Sequence, residues 1–544
     1  MKFHLRFHTA AVFLLAVFAA SCSNGIDVNL HLVNPCQEDV LFKDNQCQFL
    51  RLTISSLDPQ DILHPSHIGD PGGGPIARTC NIGDGSCNIA GDELMGLARI
   101  VDILCFTSLE TAPVARATSQ AMMLAEGAGS VGSTTMNLMI ANIDTFTETT
   151  VLSNREDPST VGDCSLLGQG EIGRYGHTAT LLDDGRVLIA GGIRRLGTVE
   201  DFLNTAEIFD PVSGRHQLVV DNQGQAVKMK APSGRAFHTA TRLRDGRVLL
   251  TGGVGLVEGK QSTLRSTELF DPNTNSFGAV GTMNVGRAYH AATMLATGEV
   301  LVTGGASVES GMIATYFNNA IIYNPETNGW QAVGSNMSVA RAFHQAVLLD
   351  PSKYNGNVVV IGGENADGPH NTIDIYNAQA NQFYSNVNVT MDKNRSHLCA
   401  VRLANGEVMV AGGKTTVDDT SVDAEVEIYN PGVPDFGEFR AETTTLQVAR
   451  MDHTCTLLDT DNVLVTGGMT SSSNGIGIGE LVLVGSGSYS VQTISDDFLD
   501  PPRFSHTATL LRNGWVFITG GLPSAAPEAV PVAQSMYFTP EPTF

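Results

Sequence analysis

Gly173-Arg174-Tyr175-Gly176-His177-Thr178-Ala179-Thr180-Leu181-Leu182 runs through Asp183-Asp184-Gly185-Arg186 into Val187-Leu188-Ile189-Ala190-Gly191-Gly192. A Thr/Ala/Leu segment, an Asp-Gly turn and an apolar run closed by a diglycine read as two antiparallel strands joined by a tight hairpin. The diglycine returns at Gly252-Gly253, Gly304-Gly305, Gly362-Gly363, Gly412-Gly413, Gly467-Gly468 and Gly520-Gly521, giving seven units. A histidine stands ahead of each, at His177, His238, His290, His344, His397, His453 and His506, with intervals of 61, 52, 54, 53, 56 and 53 residues. Such a period suits one four-stranded sheet per unit, and it fixes the architecture before any local reading.

Within a unit the hairpin turn is polar and glycine-containing, as in Asp245-Gly246 and Asn405-Gly406. A variable loop follows the diglycine. A third strand then ends in an aromatic and a turn, as in Phe209-Asp210-Pro211, Phe270-Asp271-Pro272, Tyr323-Asn324-Pro325 and Tyr429-Asn430-Pro431, where proline fixes φ after the strand. A weaker fourth strand carries Phe277, Trp330 or Phe383.

These units resemble kelch repeats, as in the β-propellers of the galactose oxidase central-domain type, over about residues 160–544. The resemblance implies an all-β chain with a seven-bladed kelch-type β-propeller. Two local departures stand out: the tryptophan of the fourth strand survives only as Trp330, and the sixth unit has Val484-Gly485-Ser486-Gly487 in place of the aromatic-Asp-Pro turn. The seventh unit reaches Phe544 without a fourth strand of its own, so a strand from about residues 160–172 is expected to complete it and close the ring.

Upstream, residues 22–157 carry no repeat. Alternating runs at residues 27–33, 49–54 and 135–140 read as half-buried strands of a small β-sandwich-like domain, with the propeller assigned to residues 158–544. The first residues are basic through Lys2 and Arg6, and an uncharged apolar stretch follows over residues 10–20, the pattern of a secretory leader. Ala19-Ala20-Ser21-Cys22 resembles the lipobox of bacterial lipoproteins. That resemblance implies a signal peptide over residues 1–21, a lipidated Cys22, and outer-membrane placement, since Ser23 is not the Asp of inner-membrane retention. Ordinary cleavage near Ala20, with Cys22 a plain cysteine, is the other reading of the same residues. Setting Cys22 aside leaves eight of nine cysteines in an oxidising compartment. Cys36 with Cys47, and Cys80 with Cys87, would close short loops.

Composition narrows the function classes. Of 544 residues, 42% are hydrophobic and 16% charged, enough for large cores and too little charge for a disordered chain. The balance of 32 Lys+Arg against 56 Asp+Glu gives a net charge of -24, which repels a phosphate backbone and argues against nucleic acid as a partner.

Seven histidines at one repeat position invite a metal reading, but equivalent positions form a ring rather than converge at the roughly 2 Å that ligation needs. Each is expected to be satisfied within its own blade, and no metal or cofactor is assigned. Arg174, Arg235, Arg287, Arg341, Arg450 and Arg503 recur with Glu207, Glu268, Asp374 and Glu427, which suggests inter-blade ion pairs. Unit five reads Asn394-Arg395-Ser396-His397, one residue out of register. Copper-radical chemistry of the galactose oxidase kind needs a cysteine beside a tyrosine, a second tyrosine and two converging histidines. Beyond Cys164 near the domain border, the propeller repeats hold only Cys399 and Cys455, reading as buried small hydrophobes where other units have Ala240 or Ala292. No catalytic residue is assigned.

Binding residues concentrate on loops carried by a rigid scaffold. The segments after each diglycine share a face with the Arg-x-x-His segments and vary most, which singles out Arg194, Arg195, Tyr316 and Phe317 as ligand-binding. An acidic trio in blade five, Asp418, Asp419 and Asp423, has the donors for calcium but no defined loop motif, and reads as solvated surface. The sequence thus suggests a monomeric, membrane-anchored extracytoplasmic binding protein with a protein or glycan ligand. A propeller enzyme, such as a metal-dependent carbohydrate oxidase or a sugar-modifying enzyme, is the alternative.

Overall fold

The computed structural model describes residues 173–540, save 213, 222, 232, 433–435, 486, 495–498 and 500, and before them the course of ten strands between Lys2 and Val151. Seven antiparallel sheets follow one another around a ring. Blade one consists of Thr178–Leu181, Val187–Ala190, Ala206–Asp210 and Arg215–Leu218 in that spatial order, and the same meander recurs in blades two to six. Each innermost strand packs on the next, and Thr507–Leu510 of blade seven returns to Thr178–Leu181.

The second strand of every blade is apolar, as in Val187–Ala190, or apolar up to a closing threonine, as in Val463–Thr466, and is buried along its whole length. It has to be, because neighbouring blades cover both faces of each sheet. The core is accordingly divided into seven inter-blade layers, with one further buried cluster, including Tyr175, Ile193, Val254 and Leu522, that runs across blades beneath the segments after the diglycines. Between blades two and three, for example, Leu249, Leu269, Val300, Val302 and Tyr323 interlock. Aromatics on the third and fourth strands face each other across the ladder: Phe270 with Phe277 at 5.0 Å between ring centroids, Tyr323 with Trp330 at 5.3 Å, Tyr376 with Phe383 at 5.7 Å. In blade one that place belongs to His216, which packs on Phe209 at 4.9 Å and is wholly buried.

The diglycine is required by the backbone. Gly191 and Gly192 have φ of +64° and +96°, and a Cβ on Gly191 would collide with the Arg235 carbonyl of the next blade. That carbonyl accepts the Gly192 N–H at 2.8 Å, so each diglycine docks its blade onto the next.

The strand that completes blade seven is Phe146–Val151, paired antiparallel with Gln534–Phe538, and not a segment of residues 160–172, which lie outside the described residues. Its sequence, Phe-Thr-Glu-Thr-Thr-Val, is β-branched and carries no repeat signature, which is why the repeat pattern did not reveal it. Ahead of it lies a nine-stranded sheet. Ser133–Asn142 runs parallel to Asp27–Val33 along its first part and antiparallel to Ala115–Thr118 at its end, so this one strand joins the two halves of the sheet. Lys2–Arg6 and Leu14–Ala19 pair at the edge of this sheet.

Cys22, Cys36, Cys47 and Cys87 lie outside the described residues, and Cys80 is placed only as part of the strand Ile76–Asn81. A disulfide does occur where the sequence suggested two inert thiols. Cys399 of blade five and Cys455 of blade six are joined, with Cα atoms 5.8 Å apart. The contact is made only when neighbouring blades pack, so it has no local signal.

Candidate functional site

The repeat arginines organise the face that carries the diglycines, called here the loop face. Arg235 donates to Glu268 at 2.5 Å and to the Gly252 carbonyl at 2.8 Å, and Glu268 also accepts the N–H of Ala231 at 2.9 Å. Arg174 with Glu207, Arg341 with Asp374, Arg395 with Glu427 and Arg450 with Glu480 repeat the motif. These pairs are made within a blade, not between blades: the acid of the third strand clamps the chain that leads into the same blade's first strand. The histidines do the reverse. His238 Nε2 lies 3.0 Å from the Thr178 hydroxyl of the preceding blade, His290 Nε2 2.9 Å from Thr239, and His177 Nε2 3.1 Å from Thr507. They tie blades together rather than being satisfied within their own, and burial holds their pKa values down, at about 3 for His177 and His290.

Blade five resolves its register from the arginine. Arg395 is buried in the repeat position, and Leu398 stands against Gly362 where other blades place the histidine. His397 therefore occupies the second position after the arginine, equivalent to Gly176, Phe237, Tyr289, Phe343, Asp452 and Ser505. These seven residues close on the axis. The Phe237 N–H donates to the Gly176 carbonyl at 2.8 Å, Phe343 to Tyr289 at 3.0 Å, His397 to Phe343 at 3.0 Å and Asp452 to His397 at 3.1 Å, a chain of bonds from blade to blade.

All seven have left-handed backbones, with φ of 63° at Gly176 and 51° to 55° at the other six. For a residue with a side chain this conformation costs on the order of 1 kcal/mol. Glycine would remove that cost, yet only one of the seven is glycine. The side chains kept there form a graded arc. Phe237 and Tyr289 lie 5.0 Å apart, Tyr289 and Phe343 4.4 Å, and the His397 imidazole stacks on Phe343 at 4.0 Å. His397 Nδ1 then meets Asp452 Oδ1 at 2.7 Å.

Burial alone would push the His397 pKa down, but the Asp452 carboxylate outweighs it and holds the imidazole above its usual value. Burial would likewise raise Asp452, and His397 holds it below the ordinary carboxylate range. The axial mouth is thus aromatic over blades two to four and an imidazole–carboxylate pair over blades five and six. Beside the pair, buried Lys414 bridges Glu364 at 3.1 Å and Asp419 at 2.7 Å, and the Ser396 hydroxyl donates to Glu364 at 2.7 Å.

Around the mouth the loops after the diglycines rise as hairpins. Tyr175 bridges to Ile193, Ala236 to Val254 and Ala288 to Ala306, so these loops do share the face of the Arg-x-x-His segments. The hairpins of blades two and three merge into one four-stranded sheet through the Ser262–Glu309 pairing.

The four side chains singled out from the sequence all lie on this face. Arg195 is 11% exposed and committed to Glu200 at 2.9 Å, the Tyr175 hydroxyl at 3.0 Å and the carbonyls of Ala526 and Ala529 at 3.2 Å. Arg194 pairs with Asp201 at 2.7 Å. The half-buried Phe317 ring carries the Arg287 guanidinium at 5.2 Å, and half-buried Tyr316 has its pKa raised by burial and by Glu364. The acidic trio does not converge: Asp418 turns to Thr420, Asp419 to Lys414, and Asp423 to Lys393 and Arg395.

No family model matches the chain. Kelch-like protein 15 of Danio rerio and of Homo sapiens is 26% identical over 170 residues, 29% of this chain and 26% of theirs, so the chain spans about a quarter of the length of these relatives. Among solved structures, a fungal alcohol oxidase of the AA5 family, in complex with copper, aligns at 16% identity and a TM-score of 0.50 over 68% of this chain and 76% of its own. The structure of YjhT aligns at 15% identity and a TM-score of 0.45 over 59% of this chain and 98% of its own. The chain folds as a kelch-type seven-bladed propeller. What this propeller offers on its axis does not fit a copper-radical centre. The ring holds one imidazole, at His397, and one phenol, at Tyr289 between two phenylalanines. The two cysteines among the propeller's described residues, Cys399 and Cys455, are joined to each other.

Proposed function

We propose that the protein is a membrane-anchored extracytoplasmic binding protein whose propeller holds a protein ligand on the loop face. One observation carries the reading. The exposed large hydrophobic side chains among the described residues are Val199, Leu256, Val257, Val285, Met312, Ile313, Val417 and Val530. Seven of these lie in segments that follow a diglycine, and Val285 lies two residues before Arg287. Met312 is 72% exposed, Val417 64% and Val199 63%, and all three stand on the rim around the axial mouth. The opposite face ends in polar hairpin turns such as Asp184-Gly185, Asp245-Gly246 and Asn405-Gly406. An apolar rim around an aromatic and charged centre has the composition of a protein-docking surface.

Photo-crosslinking residues placed singly at Val199, Met312 and Val417 should give discrete protease-sensitive adducts in envelope extracts. The same residues at Asp184, Asp245 and Asn405 should give none. Adducts from the second set alone would show that the wrong face was chosen, and protease-resistant adducts would point to a glycan.

Anchoring has a separate test. Cys22→Ser should move the protein from the membrane to the soluble fraction, because acyl chains at that residue supply the proposed attachment. Retention of the variant in membranes through a high-salt wash would refute the anchor and leave the loop-face reading untouched.

A further inference from the structure

Two departures from the repeat meet at one point between blades five and six. Counting from the repeat arginine, the fifth following residue is Ala179, Ala240, Ala292, Ala346, Ala400 and Ala508 in six blades and Cys455 in the other. The fourth following residue is a threonine in blades one, two, six and seven, at Thr178, Thr239, Thr454 and Thr507, and it meets the histidine of the next blade. In blade five that residue is Cys399, so the histidine of blade six, His453, faces sulfur where its counterparts face a hydroxyl.

The consequence is visible at His453, which is 7% exposed: its Nε2 has no side-chain partner, whereas Nε2 of His177, His238, His290, His344 and His506 meets a threonine hydroxyl. Donor atoms of Cys399, Cys455 and His453 all lie within 4.8 Å of one another, and no fourth His, Cys, Asp or Glu among the described residues joins them. The two sulfurs are bonded in this structure.

We propose that reduction of this disulfide opens an inter-blade site in which Cys399, Cys455 and His453 bind one thiophilic divalent ion of the zinc class. The step balances. A dithiol reductant delivers two electrons and two protons to the disulfide and is itself oxidised to a disulfide, leaving two thiols. The ion then displaces both thiol protons. Two thiolates, a neutral imidazole and a divalent cation sum to zero charge, the state that a buried site tolerates. Thiolate and imidazole donors select zinc-class ions over calcium or magnesium.

Co(II) is the probe for this site, added to the full chain after reduction and removal of the reductant under nitrogen. The reduced protein should develop a thiolate-to-cobalt charge-transfer band that Zn(II) abolishes. The increment must be measured against the double variant Cys399→Thr/Cys455→Ala, because the chain has seven further cysteines. That variant restores the residues used by other blades, so it keeps the fold. His453→Leu copies what blade five does at Leu398, and it should weaken Co(II) binding at least tenfold while the disulfide still forms on oxidation. Two results would overturn the site: a band in the reduced wild type no larger than in the double variant, or His453→Leu titrating with unchanged affinity.

Discussion

Between about pH 6.5 and 4 the folded protein is expected to lose most of its stability, taking up several protons in one cooperative unfolding step. Burial holds His177, His216, His290 and His453 at about 3, and His238, His344 and His506 well below the ordinary value. Unfolded, each would titrate near 6.5. Across that window the unfolded state binds more protons than the folded one, so stability is full above the unfolded value and falls as pH drops below it. Each histidine contributes at most about 1.4 kcal/mol per pH unit, and together they approach ~10 kcal/mol per unit. Against a typical total of about 5–15 kcal/mol, one or two pH units suffice. His397 works in the opposite direction, since Asp452 raises its pKa, but it is a single group. Urea midpoints measured from pH 7.5 to 4.5 check the slope, and His238→Gln should reduce the proton uptake by about one. A midpoint that stays level over that range would show that the buried imidazoles do not govern the acid limit.

The repeat histidines and the blades they mark were legible because the fold spends recurring residues on them, whereas His216, on a fourth strand, recurs nowhere. A diglycine in left-handed backbone and an arginine clamping the incoming chain tolerate few substitutes, so they repeat visibly. The axial ring was not legible for the opposite reason. Its column reads Gly176, Phe237, Tyr289, Phe343, His397, Asp452 and Ser505, which looks like noise along the chain. Only closure of the ring makes residues some fifty positions apart into neighbours. Aligning unit five on His397 hid the column further, whereas aligning on Arg395 places Leu398 in the histidine column and His397 on the axis. Glu480 shows the same lesson. The sixth unit lost its aromatic-Asp-Pro turn but kept the acid that pairs with Arg450, because the clamp acts at the opposite end of the strand.

Ring closure carries the second large effect. Blade seven takes its outer strand from Phe146–Val151, far upstream in sequence, through the pairings Phe146↔Phe538, Thr147↔Tyr537, Glu148↔Met536 and Val151↔Gln534. A chain beginning at residue 152 would leave Gln534–Phe538 as an open edge and uncover the layer in which Trp515, Phe517 and Tyr537 pack against Val187 and Phe209 of blade one. Cross-strand pairs are worth about 0.2–1 kcal/mol each, and exposure of that layer adds to them, so a loss of several kcal/mol is expected. A chain beginning at residue 143 cuts between Ser133–Asn142 and the closing strand, and it should keep the urea midpoint of the full-length protein. The difference is also repairable. A synthetic peptide of residues 144–153 added to the shorter chain should raise its midpoint in a concentration-dependent way, as an added strand does at an open sheet edge. Equal midpoints for the two truncations, with no response to the peptide, would mean that the ring is held shut from within the seven repeats alone.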